Sequence, residues 1–181
     1  MSPARAAPAA RAVQGAIVFT DIAGFTEFTA LRGDQAALAL LALQERLVRQ
    51  QMGSRGRIVK ELGDGLLLWF EDPCQAVAVA LALQDSFDHE SAAQDMPLWV
   101  RIGVHYGRPA QRGRDLVGHD VNLASRIVEL AAPGEVLASQ AAVARIGDGL
   151  PEVAFEEVGP VVMKGIPAPV ALYRAIRRPG L

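Results

Sequence analysis

Residues 57–70 read RIVKELGDGLLLWF, in which two β-prone runs flank a Gly-Asp-Gly connection. A short connection of glycine and aspartate between two such runs indicates a β-hairpin. The predicted strands cover residues 57–62 and 66–70, and they place Asp64 at the tip of the hairpin. From this hairpin the rest of the fold is predicted in both directions along the chain.

The elements on either side of the hairpin follow a regular order. Before it, an apolar run at residues 16–20 (AIVFT) predicts a buried strand, and leucines at helical spacing predict a helix over residues 34–50. Residues 21–29 between them are rich in glycine, threonine and acids and are predicted to form a loop. After the hairpin, a helix is expected over residues 73–87 and a strand over residues 98–106.

The predicted order, β-α-β-β-α-β, is that of a ferredoxin-like α+β sandwich, an antiparallel sheet with helices on one face. Further elements complete the chain: a polar loop at residues 107–118, a helix at 119–131, strands at 136–138, 153–157 and 170–176, and a short helix from Gln140. The sequence shows no internal repeat and no linker. We therefore expect one domain over residues 15–178, preceded by a disordered leader at residues 1–14.

Composition and charge narrow the possible partners. The 181 residues carry a formal net charge of −2, so the chain as a whole has no attraction for nucleic acid or an anionic membrane. No apolar run reaches the roughly 18–20 residues that span a bilayer, so no membrane segment is expected. Cys74 is the only cysteine, which excludes an intrachain disulfide and fits the reducing cytoplasm. Because the net charge is negative, any phosphate site must come from a local arrangement of residues.

Two aspartates are predicted to meet at one end of the sheet. Asp21 directly follows the buried strand, and the split β-α-β order places the hairpin tip with Asp64 beside that strand. Two carboxylates and a nearby backbone carbonyl form a hard oxygen site that suits Mg²⁺ or Mn²⁺ and leaves positions open for substrate phosphates. Taken singly, each has an ordinary alternative role: Asp21 as a helix or turn cap, and Asp64 as a turn residue.

Two further segments carry candidate ligand-binding residues. Gly24 lets the backbone pass close to a ligand, and the amides of Phe25 and Thr26 would open a helix whose N-terminus can bind phosphate. Asn122 and Arg126 are four residues apart on a predicted helix and therefore share one face. A guanidinium there could stabilise charge on a reacting phosphate, and an amide could orient a sugar oxygen. A solvated helix face is the alternative interpretation of Arg126.

Four segments, in their order and spacing, resemble one known family. They are VFTDIAGFTEF at residues 18–28, KELGDG at 60–65, DLVGHDVNLASR at 115–126 and VMKGIPAPVALYR at 162–174. The sequence resembles the catalytic domain of the class III nucleotidyl cyclases, the adenylyl and guanylyl cyclases, from about Gly15 to Arg177. One segment alone would be weak evidence, whereas their combination with the predicted element order is specific.

The resemblance implies a role for each of these residues. Asp21 and Asp64 fall where the family binds its two divalent metal ions, and Ile22 falls where a backbone carbonyl joins them. Asn122 and Arg126 fall where the family holds the ribose and stabilises the transition state.

The resemblance also implies how the base is recognised. Lys60 and Asp115 fall where adenylyl cyclases recognise adenine, and Lys164 resembles a basic position that contacts the triphosphate. A lysine offers only donors and an ionised aspartate only acceptors, so the pair complements adenine if Lys60 meets N1 and Asp115 meets the amino group. Guanine presents the reverse pattern, which favours ATP over GTP as the substrate. An ordinary surface strand and loop is the alternative setting for the pair.

In the family, the metal-binding aspartates and the residues that bind base and ribose act from opposite subunits. Because this chain carries both sets, the resemblance implies a homodimer with two shared sites that converts ATP into cyclic AMP and pyrophosphate. A guanylyl cyclase that uses GTP and a nucleotide-binding regulatory module without turnover remain as alternatives. An RNA-binding ferredoxin-like sheet is disfavoured by the net charge and by the absence of a basic-aromatic strand face. His105 is assigned a structural role.

Overall fold

The computed structural model of the chain describes residues 10–94 and 98–180. The helices in these ranges are α1 (Phe25–Arg32), α2 (Asp34–Met52), α3 (Pro73–Gln94), α4 (His119–Leu130) and α5 (Gln140–Ile146). The strands are β1 (Arg11–Ala12), β2 (Gly15–Ile22), β3 (Arg57–Leu62), β4 (Gly65–Phe70), β5 (Val100–Gly107), β6 (Ala110–Arg112), β7 (Asp115–Val117), β8 (Val136–Ser139), β9 (Val153–Val161) and β10 (Val170–Arg177).

Seven strands form the main sheet, in the order β3-β4-β2-β5-β8-β10-β9. Neighbouring strands pair antiparallel, apart from β5 and β8, which run parallel. The strands β1, β6 and β7 form a second, three-stranded sheet. The α+β class and the β-α-β-β-α-β core predicted from the sequence are confirmed, and the sheet is extended by β8, β9 and β10.

Helices cover both faces of the main sheet: the two core helices α2 and α3 share one face, as expected, and the additional helix α4 covers the other. Apolar side chains of α2, α3 and α5 pack on one face, together with Val18 and Leu68. The helix α4 packs on the other face, where Val121 and Val128 contact a cluster that includes Ile17. The physical reason is the composition of the central strands: nearly every residue of β2 and β4 is buried, so both of their faces must be covered.

Two segments expected to be irregular are ordered. The strand β2 continues through Asp21, and α1 begins directly after Gly24, which has a φ of 71°. The predicted loop at residues 107–118 contains the hairpin formed by β6 and β7. In the expected leader, residues 11 and 12 form β1 and pair with β6, while residues 1–9 lie outside the described ranges.

A buried hydrogen-bond network fixes the tip of the β3–β4 hairpin against β2. Asp21 pairs with Gly65, and a Cβ atom on Gly65 would lie within 3.0 Å of the Thr20 carbonyl oxygen, so only glycine fits there. The Thr20 hydroxyl donates to the Gln44 side-chain oxygen (2.9 Å) and accepts from the backbone amide of Leu66 (3.1 Å). Gln44 in turn donates to the Asp64 carbonyl (3.1 Å). The helix α2 therefore helps to position the hairpin tip.

We expect the substitution Gln44→Leu to destabilise the protein by about 1–3 kcal/mol, because it leaves the buried Thr20 hydroxyl and Asp64 carbonyl without their partner. The matched control is Gln50→Leu, an exposed position on the same helix, which should change stability by at most about 0.5 kcal/mol. Urea unfolding of both variants measures the difference. Equal stability of the two variants would show that the network does not hold the hairpin tip.

Candidate active site

Asp21 and Asp64 lie together at one end of the main sheet. The burial of the Asp64 carboxyl raises its pKa above the ordinary value of 3.8, and the nearby Asp21 carboxylate raises it further. The Asp21 carboxylate therefore opposes the ionisation of Asp64, as in a site built to hold cations. The convergence expected from the sequence is present in the structure.

Arg101 is a component of the site that the sequence analysis did not single out. It faces Asp21 from β5, and its Nε atom donates to Asp21 Oδ2 at 2.8 Å. A second bond runs from an Arg101 terminal nitrogen to the same oxygen. The guanidinium thus neutralises Asp21 when no metal ion is bound. The sequence feature that indicates a functional role for Arg101 is its position in LWVRIGVHY, where a lone arginine interrupts an apolar strand.

Lys60 and Asp115 form an ion pair between β3 and β7. The Lys60 Nζ atom lies 2.8 Å from Asp115 Oδ1 and 3.1 Å from Oδ2. The hydrogen bond from Lys60 lowers the pKa of the Asp115 carboxyl, and Asp115 also accepts from the Leu116 amide at 2.8 Å. Two residues 55 positions apart in sequence are therefore held as a preformed donor–acceptor pair within one chain.

The helix α4 presents the other two expected residues at its surface. Asn122 is exposed, and Arg126 donates from Nη1 to both oxygens of Glu129 at 2.9 and 3.0 Å. The helix approaches the sheet closely, because a Cβ atom on Gly103 of β5 would lie 2.6 Å from the Val128 backbone nitrogen.

His105 anchors the start of α4 to the sheet. Its Nε2 atom lies 3.2 Å from Asp120 Oδ1, and its Nδ1 atom lies 2.7 Å from the Ser139 hydroxyl. Burial lowers the pKa of His105, although Asp120 acts in the opposite direction. A neutral ring that donates to Asp120 and accepts from Ser139 satisfies both contacts. The structural role expected for His105 agrees with this geometry.

The residues expected to bind phosphate lie in two places. Gly24 caps α1 without a side-chain bond, so the amides of Phe25 and Thr26 lie in the first turn, which lacks intrahelical acceptors. Lys164 is exposed in the connection between β9 and β10. Among the residues that the structure describes, no hydrogen bond or ion pair joins Lys164 to the other expected residues, and its role stays a prediction.

The expected residues form two separate groups within one chain. Across residues 10–94 and 98–180, no hydrogen bond or ion pair links the aspartate pair to the second group. The second group consists of Lys60, Asp115, Asn122 and Arg126.

The aspartate pair fits a metal site that is completed by a ligand. Within the described part of the chain, no cluster of three or more His, Cys, Asp or Glu side chains is arranged to hold a metal ion. The structure brings two carboxylates together, and the contribution of the Ile22 backbone carbonyl stays a prediction. This incomplete oxygen set suits Mg²⁺ or Mn²⁺ when phosphates and water supply the remaining ligands.

Comparison with known proteins identifies the family. The model of the adenylate and guanylate cyclase catalytic domain matches residues 8–175. The chain belongs to this family. It is therefore a nucleotide cyclase domain, and the resemblance stated from its sequence motifs is confirmed.

Individual relatives agree with the family assignment. An uncharacterised protein of Mycobacterium tuberculosis is 34% identical over 158 residues, which are 87% of this chain and 40% of that protein. The adenylate cyclase of Streptomyces coelicolor is 32% identical over 127 residues, 70% of this chain and 32% of the enzyme. The cyclase domain thus spans less than half the length of these relatives.

Solved structures show the same fold. The crystal structure of the adenylyl cyclase CyaB from P. aeruginosa superposes with a TM-score of 0.83 at 24% identity, covering 94% of this chain and 97% of that one. Among the residues that the structure describes, none of the cyclase domain's helices is both long and apolar enough to cross a bilayer.

We expect Asp64→Asn to stabilise the metal-free cyclase domain at neutral pH. The pKa of Asp64 is higher in the folded chain than in the unfolded one, so its ionisation costs stability as the pH rises through the raised pKa. An asparagine carries no charge and avoids this cost. Urea unfolding in the presence of a chelator should show a higher midpoint than wild type at pH 7 and a smaller difference near pH 4.

Asp148→Asn, at an exposed position, is the matched control and should leave the midpoint unchanged at both pH values. A lower midpoint for Asp64→Asn at pH 7 would contradict the unfavourable interaction with Asp21. It would mean that the carboxylate contributes a stabilising contact instead.

Proposed function

We propose that this cyclase domain is an adenylyl cyclase that converts ATP into 3′,5′-cyclic AMP and pyrophosphate at two sites shared by a homodimer. The observation that carries the proposal is the preformed pair of Lys60 and Asp115, whose donors and acceptors match the pairing edge of adenine. The adenylate cyclase name of the relative from Streptomyces coelicolor points in the same direction.

Asp21, Asp64 and the Ile22 carbonyl would hold two divalent ions, Mg²⁺ or Mn²⁺, which when bound lower the pKa of the attacking 3′-hydroxyl and screen the triphosphate. The chain prepares this position by placing two carboxylates side by side, at the cost of a raised pKa at Asp64. Arg101 balances the charge of Asp21 in the metal-free protein.

The triphosphate would lie at the start of α1. The amides of Phe25 and Thr26 are oriented along the helix axis, and Gly24 has no side chain to cover them. The Glu27 carboxylate lies in the same first turn, however, and would have to turn away from a bound triphosphate. Lys164 would add a positive charge from the connection between β9 and β10. These contacts hold the α-phosphorus near the aspartate pair.

The second group of residues would complete the site from the partner chain. Lys60 and Asp115 select the base, Asn122 orients the ribose, and Arg126 donates to the oxygens of the α-phosphate as negative charge develops there. Arg126 already donates from Nη1 to both carboxylate oxygens of Glu129, and it would exchange this carboxylate for the phosphate. The absence of contacts between the two groups within the described chain supports a site assembled from two copies.

Product analysis after incubation with ATP and Mg²⁺ or Mn²⁺ tests the reaction directly, and we expect cyclic AMP with pyrophosphate. Asp21→Ala and Arg126→Ala should each remove most of the activity, because each breaks both copies of the site. Equal mixing of the two inactive variants should restore about a quarter of the wild-type activity, since half of the dimers are mixed and each then has one intact site.

The control for this experiment is a mixture of Asp21→Ala with Asp64→Ala. Both substitutions damage the same half of the site, so no mixed dimer is intact and no activity should return. Full turnover by either single variant would refute the assigned roles, whereas inactivity of the first mixture would refute only the shared site. ATP binding without any cyclic product from the wild type would favour a regulatory module without turnover.

Base selection is tested by Lys60→Gln. An amide both donates and accepts, so it no longer distinguishes adenine N1 from the ring N–H of guanine, and the ratio of kcat/KM for ATP over GTP should fall at least about tenfold. The matched control is Lys164→Gln, which should slow both nucleotides alike and leave the ratio unchanged. A wild type that prefers GTP in direct competition would instead make the domain a guanylyl cyclase.

A further inference from the structure

A cleft of about 890 Å³ lies away from the aspartate pair, beside β1 and the start of β3. We call it the arginine cleft and define it by the polar and aromatic residues of its lining that carry the argument: Arg11, Gln14, Arg55, Arg57, Trp69 and Gln111. Its volume is within the range of small-molecule sites. Neither the family's expected residues nor the proposed reaction uses it.

The arginine cleft concentrates positive charge in a chain whose net charge is −2. Three arginine residues line it, and within residues 10–94 and 98–180 no ion pair joins any of the three to an acid. The exposed acids Glu71 and Asp72 also line the cleft, and Asp72 accepts a hydrogen bond from the Cys74 amide at 2.8 Å, but in the described part of the chain neither acid forms an ion pair with these arginines. The three guanidinium charges are thus not neutralised by direct contact.

The arginines keep free donors despite their contacts. Arg57 is half-buried and donates from Nη1 to the Arg114 carbonyl at 2.8 Å, and Arg55 donates to the Met52 carbonyl at 3.3 Å. Each guanidinium has five N–H donors, so several remain for a ligand. Burial lowers the pKa of Arg57, and the Arg114 guanidinium lowers it further, which shows that like charges meet here. An anion would relieve this repulsion.

The cleft is connected to the residues that select the base. Arg57 and Lys60 lie on the same strand, and the Arg114 carbonyl that Arg57 binds directly precedes Asp115. An anion on Arg57 would therefore fix the β6–β7 hairpin in the position that pairs Asp115 with Lys60.

We propose that the arginine cleft binds a small, soluble phosphate-bearing ligand that strengthens nucleotide binding at the active site. Guanidinium groups are suited to phosphate oxygens, and the concave shape favours a small molecule over a flat lipid surface. The regulatory half of this proposal rests on the proposed cyclase function, whereas the binding half does not.

Titration calorimetry with inorganic tripolyphosphate in the presence of a chelator tests the binding. Arg57→Gln should weaken binding at least about tenfold, because it removes a charged hydrogen-bonding partner. Arg49→Gln, which removes an exposed charge already paired with Glu45, is the matched control and should not change the affinity. Lys164→Gln should also leave it unchanged, because Lys164 belongs to the nucleotide site.

Three binding results would overturn the proposal: no binding to the wild type, equal weakening by Arg57→Gln and Arg49→Gln, or loss of binding in Lys164→Gln. A separate measurement of binding to phosphatidylglycerol vesicles distinguishes a lipid headgroup from a soluble ligand. Binding to vesicles that depends on Arg57, without binding of tripolyphosphate, would replace the soluble ligand by a lipid headgroup and refute the proposal as stated.

Steady-state kinetics with inorganic phosphate as the effector tests the regulatory half. Phosphate should lower the KM for ATP about fivefold in the wild type and leave the KM of Arg57→Gln unchanged. The same decrease in both proteins would show that phosphate acts outside the arginine cleft and would overturn the coupling. If the wild type makes no cyclic nucleotide, the proposed function fails, while the calorimetric result still decides whether the cleft binds phosphate.

Discussion

The pairing of the hairpin tip with β2 is the contact on which the candidate site depends. Gly65 lets the backbone of β4 lie against the Thr20 carbonyl, where any side chain would collide. The hydrogen bonds through Gln44 then hold the turn from the opposite side. The consequence is electrostatic: Asp64 is held next to Asp21 although the two charges repel, and Arg101 offsets part of that repulsion. A cation bound between Asp21 and Asp64 would be stabilised because it reduces the repulsion between two carboxylates that the fold holds together.

A second close approach sets the position of α4. Gly103 lets the helix backbone contact β5, and the buried His105 bridges Asp120 to Ser139. The helix therefore presents Asn122 and Arg126 as part of a rigid layer rather than from a loop. Both groups of expected residues are fixed in this way to one sheet. Two such packed surfaces are compatible with the proposed assembly of the active site from two chains.

The regular elements were largely predictable, because they follow from local patterns. Strands β3 and β4, the extent of α2 and the start of α4 agree closely with the alternation, helical spacing and turn residues in the sequence. The loop expected at residues 21–29 ends where α1 begins at Phe25, a helix start that the sequence indicates for Phe25 and Thr26. The extent of α1 to Arg32 was not predicted, because the helix has no buried residue and thus no apolar stripe. The core helices α2 and α3 lie on one face as expected, whereas the placement of α4 on the other face was not predicted, because a sequence pattern does not specify which face of a sheet a helix covers.

The sequence by itself determined the α+β class, the family and the residue types needed at each candidate position, since these depend on short segments and their spacing. Only the tertiary structure decided which of those residues meet. The ion pair of Lys60 with Asp115 spans 55 positions, and the contact of Arg101 with Asp21 spans 80. The charges in the arginine cleft likewise come from segments far apart in the chain. Contacts of this kind depend on how strands pair and how closely helices approach the sheet, and no local pattern encodes those distances.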